Sequence, residues 1–116
     1  MDGVRSITRP RGLAKPDHLQ YREGSGGTVE IWDIVVWSER RQGIGRSMVE
    51  ELFTACRSVG VRRVYAIARA ENRIAGEFYE AMGFRSVPLF DFYGVRDEHG
   101  RSTVDAIMYV RDLEKL

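Results

Sequence analysis

A β-rich run that passes into an amphipathic helix through a turn of arginines and glycines sets the architecture of this sequence. Thr28 to Trp37 (TVEIWDIVVW) concentrates β-branched and aromatic residues, which suit a pleated surface and predict a central strand. From Gly43 to Val59, apolar residues return at Ile44, Met48, Val49, Leu52, Phe53, Cys56 and Val59. That spacing makes one helical stripe, and Gly60 follows as its C-cap. Val61 to Ala68 predicts a buried strand. Asn72 is the N-cap of a second helix that runs through Met82, ends at Gly83, and has Ile74, Ala75, Phe78, Tyr79 and Met82 on one face. Phe84 to Tyr93 and Thr103 to Arg111 then predict two strands around the polar turn RDEHGRS.

Ahead of the central strand, His18 to Arg22 and the turn Gly24 to Gly27 complete a hairpin. Residues 1–16 carry four basic residues beside Pro10, Pro16 and glycines, and predict an irregular lead-in to a single domain over 17–116. The expected order is β, β, α, β, α, β, β, a mixed α/β chain without internal repeats.

At 116 residues the chain holds one core of ordinary size. Eighteen Lys and Arg against 17 Asp and Glu give a net charge of +1, so no bulk field draws nucleic acid or anionic lipid, and anion recognition has to be local. One cysteine, Cys56, excludes an internal disulfide and fits a reducing compartment; with only His18 and His99 as histidines, no metal is expected. The start, MDGVRSITRPRG, has no apolar stretch of the signal-peptide kind, and no run approaches the ~20 apolar residues of a membrane span. A cytoplasmic protein is expected.

The turn Arg40-Arg41-Gln42-Gly43-Ile44-Gly45 is the strongest chemical signal. Glycines let a ligand approach the backbone, the first N–H groups of a helix point outward, and its dipole adds partial positive charge. Arg40, Arg41 and Arg46 add full charges, so the turn suits a pyrophosphate. It is neither GxxxxGK[ST] nor GxGxxG, since Met48 stands where a third glycine would be. With it, the chain resembles the Gcn5-related N-acetyltransferase (GNAT) superfamily, whose [Q/R]-x-x-G-x-[G/A] signature after a central strand is filled by Arg40, Gly43 and Gly45. The segment from Asn72 through Ala75 and Tyr79 to Gly83-Phe84 is similar to that family's N-x-x-A-x-x-x-Y-x-x-x-G-F, and Asp105 to Leu113 to its closing strand.

The resemblance implies acetyl-CoA as co-substrate and an N-acetyltransferase acting by direct attack of an amine, on a small molecule or a peptide. It implies that Ile34, Val35 and Val36 offer backbone groups to the pantetheine arm, one of them polarising the thioester carbonyl. The amides of Arg41, Gln42, Gly43, Ile44, Gly45 and Arg46 would hold the pyrophosphate, and Asn72 would bond the cofactor arm. Tyr79 would stabilise or protonate the departing thiolate, because a phenol, with an ordinary pKa near ~10, is still a donor at neutral pH. For the general base, Asp33 and Glu30 stand as alternatives on the central strand. In a regular strand they face opposite sides, and a bulge reverses that. Glu71 is a third option.

Cys56 reads as a buried small hydrophobe, His99 as part of a solvated loop, and Phe90 to Tyr93 either as an acceptor lining or as ordinary sheet aromatics. The first 27 residues have space for at most a strand and a tail, so the family's usual first strand and helices are expected to be missing and the acceptor side open. A large substrate, a second copy involving Trp32 and Trp37, or binding of acyl-CoA without catalysis would each fit that openness.

Overall fold

The structure, a computed structural model, describes residues 3–12, 14–36 and 43–113. Strands β1 (Arg5–Arg11), β2 (Ala14–Glu23) and β3 (Thr28–Val35) lead into helix α1 (Ile44–Ser58). Strand β4 (Arg63–Arg69), helix α2 (Arg73–Ala81), β5 (Arg85–Phe90) and β6 (Val104–Asp112) follow. The strands form a six-stranded sheet in the order β1-β2-β3-β4-β6-β5. The chain divides into two compact units, one reaching Val64 and taking in Asp112 and Leu113, the other Tyr65–Arg111.

In the first unit, β1–β2 and β2–β3 pair antiparallel. The expectation of an irregular lead-in over 1–16 is corrected: residues 5–11 and 14–16 are strand, so three strands precede α1. Two prolines had suggested loop. Both fit because they fall in one irregularity, where the register passes from Arg9↔Asp17 to Arg11↔Ala14; Pro10 is on the edge strand β1, and Pro16 lies before His18, where the pairing of β2 with β3 begins. Alternation along these strands sends Ile7, Leu19, Val29 and Ile31 into the core, where they meet Met48, Val49, Leu52, Phe53 and Cys56 of α1. Each such side chain contributes roughly 1.5–3 kcal/mol on burial. Asp17 is fully buried among them, with Arg11 Nε at 3.7 Å. Val59 departs from the expected stripe: as the C-cap of α1 it is exposed.

In the second unit, α2 lies against β5, and β5 pairs antiparallel with β6. The core here is Ala66, Tyr79, Met82, Phe84, Ala106, Tyr109 and Val110. Ile74, expected on the inner face, sits in the first turn of α2 and is exposed.

Both helices stop by the same device. Gly60 and Gly83 take left-handed backbone angles of +80° and +86°. In each case the glycine N–H and the N–H after it reach back into the last turn: Gly60 to Arg57 and Val61 to Cys56, Gly83 to Glu80 and Phe84 to Tyr79. This is the glycine-dependent C-terminal motif that satisfies the last carbonyls of a helix. No helix among the described residues is long and apolar enough to cross a membrane.

Candidate active site

The chemistry-bearing part of the first unit begins with an interruption in β3. Opposite β2, the register passes from Tyr21↔Ile31 to Gln20↔Asp33, so Trp32 is an extra residue in β3. Such a bulge shifts every later side chain to the other face. Glu30, opposite Arg22, and Asp33, opposite Gln20, therefore share a face, correcting the alternation of a regular strand. On that face Arg22 Nε donates to Glu30 Oε1 at 3.0 Å, and the same guanidinium lies 3.8 Å from the centre of the Trp32 ring. Glu30 is thereby committed and its side chain only 12% exposed, whereas that of Asp33 is 49% exposed. Asp33 Oδ2 accepts from His18 Nε2 at 3.3 Å. His18 had no assigned role in the sequence reading. The signal lay in pairing, since His18 stands opposite Val35 at the end of β3, which no local pattern reveals.

Ile34, Val35 and Val36 are half-buried at that strand end. Trp37, Arg40, Arg41 and Gln42 lie outside the described residues. Beyond them, Gly43 is the N-cap of α1 with φ +76°, a conformation that glycine takes at little cost. No side chain caps this end and no acidic residue occupies the first turn. Ser47 N–H closes the first helical bond to Gly43 O at 2.9 Å, while Ile44 and Gly45 are half-buried and Arg46 is exposed. The helix end is thus an electropositive terminus bordered by glycine and arginine. Farther along α1, burial pushes the Cys56 thiol up to about 11 despite neighbouring Arg57, which keeps it an inert thiol at neutral pH.

In the second unit, Asn72 Oδ1 accepts from Ala75 N–H at 3.1 Å, so asparagine is explained there as the cap of α2. Glu71 is exposed in the turn before it. Tyr79 is 5% exposed, its ring packed against Phe84 at 5.1 Å, Tyr109 at 5.2 Å and Phe78 at 5.3 Å between centres. A Cβ on Gly76 would come within 2.8 Å of Tyr109 Oη, so α2 and β6 meet closely here. Burial, and then the charge of Glu80, raise the Tyr109 phenol above its ordinary value.

The expected strand to Tyr93 ends instead at Phe90, because Asp105 draws the following backbone to itself. Its carboxylate accepts from the N–H groups of Phe92 and Tyr93 at 2.8 Å and of Val95 at 3.2 Å. Burial alone would raise this carboxyl, but those bonds outweigh it and hold it below the ordinary carboxylate value. The sign follows from that lowering. The stabilisation is complete above the unfolded value near ~3.9 and is lost as pH falls through the lower folded one. Hydrogen exchange at the amides of Phe92, Tyr93 and Val95 is therefore expected to be slow at pH 5, and fast in Asp105→Asn at the same pH. Equal protection in both proteins would overturn this account. Phe90, Phe92 and Tyr93 are exposed, with Arg69 4.6 Å from the Tyr93 ring centre. His99 is exposed, its backbone N–H bonded to Asp97 Oδ1. Among the described residues no group of three or more His, Cys, Asp or Glu could hold a metal ion.

No curated protein matches the chain, but solved structures share its fold. The ribosomal-protein-S18-alanine N-acetyltransferase from Escherichia coli is 21% identical, with a TM-score of 0.74 over 100% of this chain and 73% of that one. A Bacillus subtilis acetyltransferase in complex with CoA is 18% identical, with a TM-score of 0.75 over 98% of this chain and 80% of that one. Arabidopsis thaliana NAA60 in complex with a bisubstrate analogue is 22% identical, with a TM-score of 0.73 over 98% and 78%. The Acetyltransferase (GNAT) family itself matches residues 11–84, a span that includes the bulged strand, the glycine turn of α1 and the whole segment from Asn72 to Phe84. With that span and this fold, the chain belongs to the Acetyltransferase (GNAT) family.

Proposed function

We propose that the chain is an acetyl-CoA-dependent N-acetyltransferase that moves the acetyl group to an amine by direct attack, as a single catalytic domain over 17–116 to which β1 and the start of β2 also belong. The observation that carries the reading is the N-terminus of α1: a left-handed glycine, no capping side chain and no acidic residue, where a pyrophosphate would meet free N–H groups and positive charge. Residues 41–46 take the pyrophosphate, with Arg40 and Arg41 supplying charge. The backbone of Ile34, Val35 and Val36 takes the pantetheine arm and polarises the thioester carbonyl. Asn72, beyond its capping role, bonds the arm, and Tyr79 supplies a proton to the thiolate. A CoA complex among the structural relatives supports the cofactor. A relative named as a ribosomal-protein-S18-alanine N-acetyltransferase supports an amine on a protein or peptide, and a small-molecule amine is the other candidate acceptor.

The same reading places the protein in the cytoplasm, without metal, nucleic acid or membrane, and admits a second copy beside the exposed Trp32. A non-catalytic acyl-CoA-binding module is favoured by one observation, that Glu30 is held by Arg22 and Asp33 by His18. Mass spectrometry decides between them. Incubated with acetyl-CoA and a panel of amines, polyamines, amino acids and peptides, an enzyme transfers acetyl to at least one amine and releases free CoA. Saturable acetyl-CoA binding with no acetylated product would establish the module instead.

A further inference from the structure

We propose that His18, oriented by Asp33, is the base that takes the proton from the acceptor amine; this rests on the N-acetyltransferase reading above. The bulge at Trp32 creates the pair. By adding one residue to β3 it brings Asp33 onto the face of β2 that carries His18, and the two side chains meet at 3.3 Å. A carboxylate only accepts, so the imidazole carries its proton on Nε2 and donates it to Asp33 Oδ2. This leaves the lone pair on Nδ1. The imidazole is 28% exposed, enough for an amine to reach it, and stands opposite Val35 at the strand end assigned above to the thioester.

The neighbouring groups exclude themselves. Glu30 is covered and bonded to Arg22, and Asp33 is the partner of the imidazole rather than a free acceptor. Thr8, opposite His18 on β1, has no basic atom. Imidazole is also the side chain whose ordinary pKa lies nearest neutrality, where a base combines availability with driving force.

In the step, the ammonium form of the acceptor gives one proton to Nδ1, and its nitrogen attacks the thioester carbonyl so that a C–N bond forms and the C–S bond breaks. The nitrogen sheds its second proton as the amide forms, and that proton balances the one the departing thiolate takes up. The products are the amide, the free thiol and one proton on the imidazole, which solvent removes. His18 is thus a catalytic residue and Asp33 a positioning residue.

The test uses the full chain, acetyl-CoA and whichever amine of the panel the wild type acetylates fastest. His18→Ala is expected to lower kcat about a hundredfold with the KM for acetyl-CoA unchanged, and added imidazole to restore a dose-dependent part of the rate. Asp33→Asn, which keeps a side chain of the same size, is expected to lower kcat by a smaller factor without any imidazole rescue. Full turnover in His18→Ala, or a loss that imidazole does not restore, would overturn the assignment while leaving the N-acetyltransferase reading intact. A wild type that acetylates nothing in the panel would overturn both. Hydrogen exchange at Leu19 and Ile34 that matches wild type shows that both variants fold.

Discussion

Replacing Gly45 with valine is expected to weaken acetyl-CoA binding about a hundredfold or more while leaving the protein folded. Gly45 lies inside the first turn of α1 with no positive backbone angle, so the helix itself does not require glycine there. A glycine within a helix is unfavourable by roughly 0.8–1 kcal/mol relative to alanine, which makes the residue a local cost. On the proposed function the return is the approach of a pyrophosphate to the amides of the turn. A hydrogen bond from a neutral amide to a charged phosphate contributes about 1.5–3 kcal/mol, and a branched Cβ that holds the phosphate away from two of them removes a factor on the order of 10² or more in affinity. Gly45→Ala should fall between. Calorimetry with acetyl-CoA measures the effect, and an unchanged affinity in Gly45→Val would remove the turn from the binding site. Gly43 does not offer this test, because its left-handed conformation makes any side chain strained whatever the ligand does.

Tyr79→Phe is expected to lower kcat by about 10²–10⁴ with the affinity for acetyl-CoA unchanged. The proposed partner of the hydroxyl is the sulfur, which becomes charged only as the thiolate leaves, so the interaction belongs to the transition state and not to the bound ground state. The ring is a separate matter. Packed against Phe84 and Tyr109 it anchors α2, and phenylalanine preserves that cluster. Stability should fall by no more than about 1 kcal/mol, the net value of one hydrogen bond. Steady-state kinetics, a thermal melt and a binding isotherm separate the outcomes. Full turnover would show that solvent or another group protonates the thiolate, and unfolding would show that the hydroxyl is structural.

Helices were the most legible part of the sequence because their signals are local. Asn72 at the start of α2, and Gly60 and Gly83 at the two ends, act on residues within one turn of themselves, and each is found doing so. The central strand was legible for a similar reason, since TVEIWDIVVW has little choice but a sheet. β1 was not, because its register depends on β2: Pro10 and Pro16 look like breakers until they are seen together in one irregularity of an edge pairing. The site divides in the same way. The glycine turn of α1 and the segment around Tyr79 are contiguous motifs. The His18–Asp33 pair joins residues fifteen positions apart through a bulge whose location no propensity specifies. Ile74 and Val59 show the limit of periodicity: both keep the helical spacing, yet at the first turn and at the cap the stripe has nothing to pack against.

The bonds that Asp105 accepts come from main-chain N–H groups and not from side chains. The path of residues 92–95 is therefore written at position 105 and is indifferent to the side chains at 92, 93 and 95, proline excepted because it has no N–H to give, while Gly94 is held to glycine by its left-handed backbone (φ +77°). Phe92, Tyr93 and Val95 can then be exchanged as a set without redrawing the backbone that displays them. A lineage, or a protein engineer, could retune that surface by point substitution while one buried carboxylate keeps its shape constant. Asp105, by contrast, is the one position on which that constant shape rests.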